Sequence, residues 1–145
     1  PPLVQLLGPD STTDVQWNAA GALACLAQNA DNNINIAIAV AGAIPPLVQL
    51  LGSGSPAAVQ KWAAAALLSL ALNAENQVTI AAAGAIPPLI QLLGPASDDR
   101  TKQHASLALQ ELAHNAENRV AIAAAAASAG LLQEMEGLGI NNVSP

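Results

Sequence analysis

One phrase recurs along the chain, and this internal repetition limits the folds that are open to it. Residues 73–93 read NAENQVTIAAAGAIPPLIQLL, and residues 29–51 read NADNNINIAIAVAGAIPPLVQLL. The phrase begins again in 115–125, NAENRVAIAAA, and residues 1–8, PPLVQLLG, match the end of a further copy. A chain that repeats itself so closely predicts a stack of like structural units.

The period of the repeat is that of an α-helical solenoid. Pro1, Pro45 and Pro87 open equivalent segments, so the period is 44 and then 42 residues. The difference lies in the connectors 29–45 and 73–87, because the blocks between the connectors are equal in length. Periods of about 40–47 residues are typical of stacked helical units.

Three helices are predicted within each period. The first runs from about Glu75 to Ala83, and Gly84 suits the left-handed conformation in which many helices end. The second begins at Pro87-Pro88, since proline is tolerated in a first turn. The third and longest runs from about Asp99 to His114.

The third helices carry an apolar stripe with the 3.6-residue helical period, which predicts a core face. Its members are Val15, Ala19, Ala22, Leu23 and Leu26, then Val59, Ala63, Ala66, Leu67 and Leu70, then Thr101, Ala105, Ala108, Leu109 and Leu112. No segment shows the sustained alternation of a strand, so the sequence predicts an all-α fold.

The unit resembles the armadillo repeat, and the resemblance covers essentially the whole chain. Its most specific parts are AGAIPPLVQLL at 41–51, VQWNAAGALACLA at 15–27 and NAEN at 73–76. Within the family the chain looks most like plant and algal armadillo proteins, among them the tails of U-box ubiquitin ligases. The resemblance implies a right-handed α-solenoid of three-helix repeats. It implies one domain, 1–145, with a partial repeat 1–29, repeats at about 30–73 and 74–115, and a partial or capping repeat 116–145.

The charge balance disfavours two classes of partner. The chain has four Lys and Arg against ten Asp and Glu, a net charge of −6. Four bases cannot form the basic stripe that nucleic acids or anionic membranes require. No apolar run of about 20 residues is uninterrupted, so we expect no membrane insertion. With 52% apolar residues and 10% charged ones, we expect either that the chain is a fragment or that some of its surface is normally covered. We expect a soluble piece of a longer protein.

The resemblance implies that the third helices line a concave groove, where a partner would bind. The predicted groove residues are Trp17, Asn18, Cys25, Gln28, Lys61, Trp62, Leu68, Ser69, Leu72, Gln103, His104, Leu107, Glu111 and His114. Trp17 and Trp62 lie off the apolar stripe and could anchor a partner, because Trp is enriched in interface hot spots. The alternative is that each only covers a neighbouring Ala-rich helix.

Nuclear-import adaptors of the family pair a Trp with an Asn in the third helix. The Asn position here holds Cys25, Ser69 and Glu111, and the Trp position holds Gly21, Ala65 and Leu107. The paired ladder for basic signals is therefore absent, which argues against an import adaptor.

No constellation of catalytic or metal-binding residues emerges from the sequence. Cys25 lies two third helices away from His104 and His114, about 20 Å at the usual helix spacing and too far for a thiol–imidazole pair. The pairs Asp98-Asp99 and Glu134/Glu136 are more typical of a helix start and a solvated face than of an acid–base dyad. The sequence predicts no enzyme, no cofactor and no metal site.

The function predicted is that of a protein–protein interaction scaffold, whose groove takes a partner peptide or protein with apolar anchors. Three alternatives stay open: a structural or self-assembling role, the substrate-recruiting region of a U-box ubiquitin ligase, and, ranked last, a small-molecule site. Uncovered apolar residues at 3–7 suggest that copies associate through open solenoid ends. The single Cys25 suits a reducing compartment, so we expect a cytoplasmic location, with the nucleus as the alternative.

Overall fold

A computed structural model describes residues 2–28, 32–52, 54–95 and 97–130. These residues form helices and connecting turns, with no strand among them, which confirms the all-α prediction. The helices are α1 (Pro2–Gln5), α2 (Thr13–Gln28), α3 (Asn32–Val40), α4 (Ile44–Leu50), α5 (Ala57–Leu70), α6 (Ala74–Ala82), α7 (Ile86–Gln91), α8 (Asp99–Leu112) and α9 (Ala116–Ala129).

The recurring phrase contains its own helix signals. Asn73 precedes α6, and its side-chain oxygen accepts a hydrogen bond from the backbone N–H of Asn76 at 3.0 Å. Asn115 caps α9 through the same contact with Asn118, also at 3.0 Å. Gly84 follows α6 with φ +89°, in the left-handed region that glycine enters without strain. The phrase therefore ends one unit and begins the next.

The long helices α2, α5 and α8 pack side by side, with α5 in contact with both of the others. The predicted apolar stripe is buried along the whole of α5 and α8. The prediction that this stripe is buried is wrong in part for α2, where Ala22 is exposed and Leu26 is 52% exposed. Their equivalents in α5, Ala66 and Leu70, are fully buried because α5 has a long helix on either side. Among the described residues, α2 has such a neighbour on one side only.

A buried polar ladder joins the short helices of successive units. Asn76, 3% exposed, donates from Nδ2 to the carbonyl oxygen of Leu70 at 3.0 Å and to that of Asn35 at 3.3 Å. Asn118 donates from Nδ2 to the carbonyl oxygen of Gln77 at 3.2 Å. These side chains satisfy backbone acceptors across the unit boundary, which fixes the register of the stack.

A second repeated contact ties each long helix to the segment before it. Gln16 donates from Nε2 to the carbonyl oxygen of Gly8 at 2.8 Å, and Gln60 makes the same bond to Gly52 at 2.7 Å. Because both bonds begin near the start of a long helix, they set the direction from which α2 and α5 enter the stack.

The apolar face predicted to be open at the start of the chain is smaller than expected. Leu7 is 2% exposed, and Leu3 and Val4 are half-buried against the core, while Leu6 is 43% exposed. Association through this face stays a prediction, as do the unit boundaries. Glu134 and Glu136 lie outside the described residues.

Candidate binding groove

Two adjoining depressions lie along the surface formed by α2, α5 and α8. The first has a volume of about 210 Å³ and is lined by Trp17, Asn18, Gly21, Ala22, Cys25 and Trp62. The second has a volume of about 230 Å³ and is lined by Ala24, Gln28, Lys61, Trp62, Ala65, Leu68, Ser69, Arg100 and His104. Trp62 belongs to both linings, so the two depressions meet at its indole. We call them together the groove.

Two residues contact the indole of Trp62. The ring lies against Gly21 of α2, where a Cβ atom would come within 3.7 Å of the ring atom Cδ2. Lys61 places its Nζ 5.4 Å from the ring centre, within the range of a cation–π contact. The missing side chain at position 21 leaves room for the ring to approach the α2 backbone. Trp62 is therefore half-buried and positioned before any partner arrives.

The first depression has an exposed aromatic wall. Trp17 is 40% exposed, and Gly21 and Cys25 follow at intervals of one helical turn on the same face of α2. Asn18 points its amide back into its own helix, where it donates to the carbonyl oxygen of Asp14 at 2.9 Å. The lining is thus chiefly apolar, with two indoles.

The second depression combines two cations with a half-buried imidazole. Burial is the main reason that the pKa of His104 lies below its ordinary value of 6.5, and the positive charges of Lys61 and Arg100 act in the same direction. A hydrogen bond with the Lys61 backbone opposes this shift. His104 Nδ1 is buried and has no hydrogen-bond partner among the described residues.

One carboxylate lies near these cations, and it has a structural role. Asp98 caps α8 and accepts a hydrogen bond from the backbone N–H of Thr101 at 2.8 Å. This bond is the chief reason that the pKa of Asp98 lies below its ordinary value, and the positive charges of Lys61 and Arg100 lower it further.

The structure brings together most of the groove residues that the sequence predicted. Those that line the groove are Trp17, Asn18, Cys25, Gln28, Lys61, Trp62, Leu68, Ser69 and His104. Those that do not are Leu72, Gln103, Leu107, Glu111 and His114. All of these except Leu72 lie on α8 or just after its end. A depression requires long helices on both of its sides. Among the described residues α8 has such a neighbour, α5, on one side. The role of every one of these residues in binding stays a prediction.

Arg100 and Ala22 line the groove, although the sequence did not predict either of them there. Arg100 lies one turn before His104 on α8, so the i, i+4 spacing could have identified it. Ala22 was assigned to the core stripe, and its exposure depends on how α2 packs.

The structure does not bring the thiol of Cys25 and the imidazole of His104 into one depression, since Cys25 lines the first and His104 the second. Within the part of the chain that the structure describes, no three His, Cys, Asp or Glu residues are grouped to hold a metal ion. No helix in that part is long and apolar enough to cross a membrane.

Comparison with known proteins identifies the repeat. Residues 73–114 match the sequence model of the Armadillo/beta-catenin-like repeat. Among solved structures, computationally designed armadillo repeat proteins for modular peptide recognition are 34% identical to the chain, with a TM-score of 0.78. A designed armadillo repeat protein in complex with the peptide (KR)4 is 30% identical, with a TM-score of 0.76. An engineered protein is 32% identical, with a TM-score of 0.82.

These matches cover nearly all of the chain but only part of the other proteins. The two designed armadillo structures align with 90% of this chain and 52% of their own length. The engineered protein aligns with 92% of this chain and 32% of its own. The chain thus spans about half the length, or less, of the structures it matches. No curated protein gives a match.

Proposed function

The chain belongs to the armadillo-repeat family, and from this we propose that it is a non-enzymatic scaffold that binds a segment of a partner protein in the groove. The observation that carries the proposal is the position of Trp62, where the two depressions meet. A segment that runs through both depressions would contact the Trp62 side chain in each of them. The narrower expectation of a plant or algal type stays a prediction.

The energetics of recognition favour Trp17 and Trp62 as anchors. Trp is enriched among interface hot spots, because its large rigid surface is desolvated at a low cost in side-chain entropy. The indole of Trp62 already contacts Gly21 and Lys61 in the free protein, so binding would remove little further conformational freedom from this side chain. Trp17, 40% exposed, has more surface left to bury.

The size of the depressions favours side chains of a bound segment over a small molecule. Their volumes of about 210 and 230 Å³ each lie below the roughly 300–1,000 Å³ of typical small-molecule sites. Designed armadillo proteins similar to this chain were made for modular peptide recognition, which supports peptide binding as the general mode.

A peptide selection tests the proposal. We would select from a random display library of peptides of about twelve residues, since at about 3.3 Å per residue such a segment spans three neighbouring helices. Binding of the selected peptides is then measured by the protein's intrinsic fluorescence. The chain has two Trp and no Tyr, so the emission reports on the groove.

The variant Trp62→Ala should weaken binding at least 30-fold, the loss that corresponds to a hot spot of about 2 kcal/mol. In this variant Trp17 remains as the fluorescent reporter. The control is Val120→Ala, which truncates a 63% exposed side chain on α9 and should leave the affinity unchanged. Circular dichroism and size-exclusion chromatography would establish that both variants fold.

A selection that yields no binding peptide, or a folded Trp62→Ala protein with unchanged affinity, would contradict the proposal. A self-assembling role would instead show as a concentration-dependent mass that persists in the Trp62→Ala variant.

A further inference from the structure

Half of the strongly basic residues of this acidic chain line one depression. The chain has four Lys and Arg and a net charge of −6. Lys61 and Arg100 both line the second depression, and no Asp or Glu among the described residues lines either depression. Arg119 is used elsewhere, since its Nη1 donates to the carbonyl oxygen of Ala113 at 2.9 Å. The groove therefore has the opposite charge to the rest of the molecule.

The two cations are not neutralised where they lie. No carboxylate among the described residues comes within 4.0 Å of Lys61 Nζ or the Arg100 guanidinium. Asp98, whose charge acts on both, is held by its hydrogen bond to Thr101 and caps α8. The second depression therefore has two cationic side chains, and the carboxylate near them already caps a helix.

We propose that the segment bound in the groove is acidic, with an Asp or Glu side chain in the second depression and an apolar side chain in the first. The proposal rests on the proposed function, because it names the chemistry of the segment that the scaffold takes. The carboxylate would lie between Lys61 and Arg100, where it completes the charge balance that the protein leaves open.

The geometry also gives the spacing between the two side chains. The first depression is lined from α2 and α5, the second also extends to α8, one long helix further along, and packed helices are spaced by about 8–10 Å. An extended segment advances about 3.3 Å per residue. The acidic and apolar side chains are therefore expected about three residues apart.

The test uses the peptides from the selection described above, resynthesised with each Asp or Glu replaced by Asn or Gln. Two further probes are a peptide of alternating Lys and Arg and a single-stranded oligothymidylate. Each is titrated against the parent protein, against Lys61→Gln and Arg100→Gln, and against Lys102→Gln. Lys102 is the matched control, because it lies on α8 and lines neither depression.

We expect the selected peptides to contain an acidic residue about three positions from an apolar one. Lys61→Gln and Arg100→Gln should each weaken their binding about fivefold, the loss of one exposed charge interaction of about 1 kcal/mol. Lys102→Gln should change it less than twofold. Replacing the acidic residue removes the contacts with both cations, so it should weaken binding by up to about 25-fold. Its effect should be smaller in either protein variant, since one of the two contacts is already lost there.

The outcomes separate this proposal from the one on which it rests. A selection without any binding peptide would overturn both. Selected peptides that are neutral or basic, or that bind equally to Lys61→Gln and Arg100→Gln, would overturn the acidic segment and leave the scaffold function standing. Tight binding of the oligothymidylate that is lost in these two variants would also overturn it, because the groove would then recognise phosphate.

Discussion

The polar ladder predicts that Asn76 stabilises the stack more than Asn118, its counterpart in the next unit. Replacing Asn76 by Ala removes two buried hydrogen bonds, to the carbonyl oxygens of Leu70 at 3.0 Å and Asn35 at 3.3 Å. The Leu70 carbonyl keeps a bond from the backbone N–H of Asn73 at 3.3 Å, so it is not left without a donor. The cost is therefore that of the lost bonds and of a small cavity.

A net hydrogen bond contributes about 0.5–1.5 kcal/mol, and a small cavity adds to the cost, so Asn76→Ala should lower the free energy of unfolding by about 2–3 kcal/mol. The matched control is Asn118→Ala, which removes the bond to the Gln77 carbonyl and should cost about 1–2 kcal/mol. Urea denaturation followed by circular dichroism at 222 nm measures both. Tryptophan emission followed in parallel shows whether the groove unfolds together with the helices.

The test depends more on which variant loses more free energy of unfolding than on the size of either loss. If Asn76→Ala costs less than about 0.5 kcal/mol, or no more than Asn118→Ala, the ladder does not hold the units in register. If the helical signal is lost well before the tryptophan signal, the stack unfolds in parts and one free energy does not describe it.

Three further predictions follow from burial, backbone conformation and charge. Leu67→Ala, at a fully buried position of α5, should destabilise the fold by about 2–5 kcal/mol in the same urea assay. Gly84→Ala should cost about 1 kcal/mol because φ is +89°, whereas Gly54→Ala, which has neither a positive φ nor close neighbours, should be neutral or stabilising. Because the pKa of His104 is lowered in the fold, the unfolded chain takes up the proton first, so the melting temperature should fall as the pH drops below about 6.5. This dependence should weaken in His104→Gln and persist in the exposed control His114→Gln.

The repeat made most of the fold predictable, because the signals that fix it are local. The Asn caps, the glycines after the short helices and the prolines that open α4 and α7 each act within a few residues. Such signals are present in every copy, so one copy supports the interpretation of the others. The fold class and the family were accordingly correct from the sequence.

Burial was less predictable, because it depends on neighbours as well as on helical phase. Ala22 and Leu26 occupy the same phase as Ala66 and Leu70, yet the first pair is exposed and the second is buried. The periodicity gives the face of a helix, and the stack decides whether another long helix covers that face. The same reason explains why three of the four predicted groove residues within α8, Gln103, Leu107 and Glu111, line neither depression.

The overall composition did not predict the positive charges of the groove. A net charge of −6 argued correctly against a long basic stripe, but it could not show that Lys61 and Arg100 meet in one depression. They lie on different helices, α5 and α8, and come together only through the packing of those helices. Local spacing places Arg100 beside His104 and gives no information on Lys61.

The most direct test of the account is a nuclear magnetic resonance titration of the two indole N–H groups. The chain has two Trp, so ¹⁵N-labelled protein shows one indole cross-peak for each. A selected peptide should shift both cross-peaks, with the larger shift at Trp62 because it lines both depressions. The backbone N–H of Val120 on α9, away from the groove, should stay in place. Saturable binding that leaves both indole cross-peaks unmoved would contradict the claim that the groove is the binding surface.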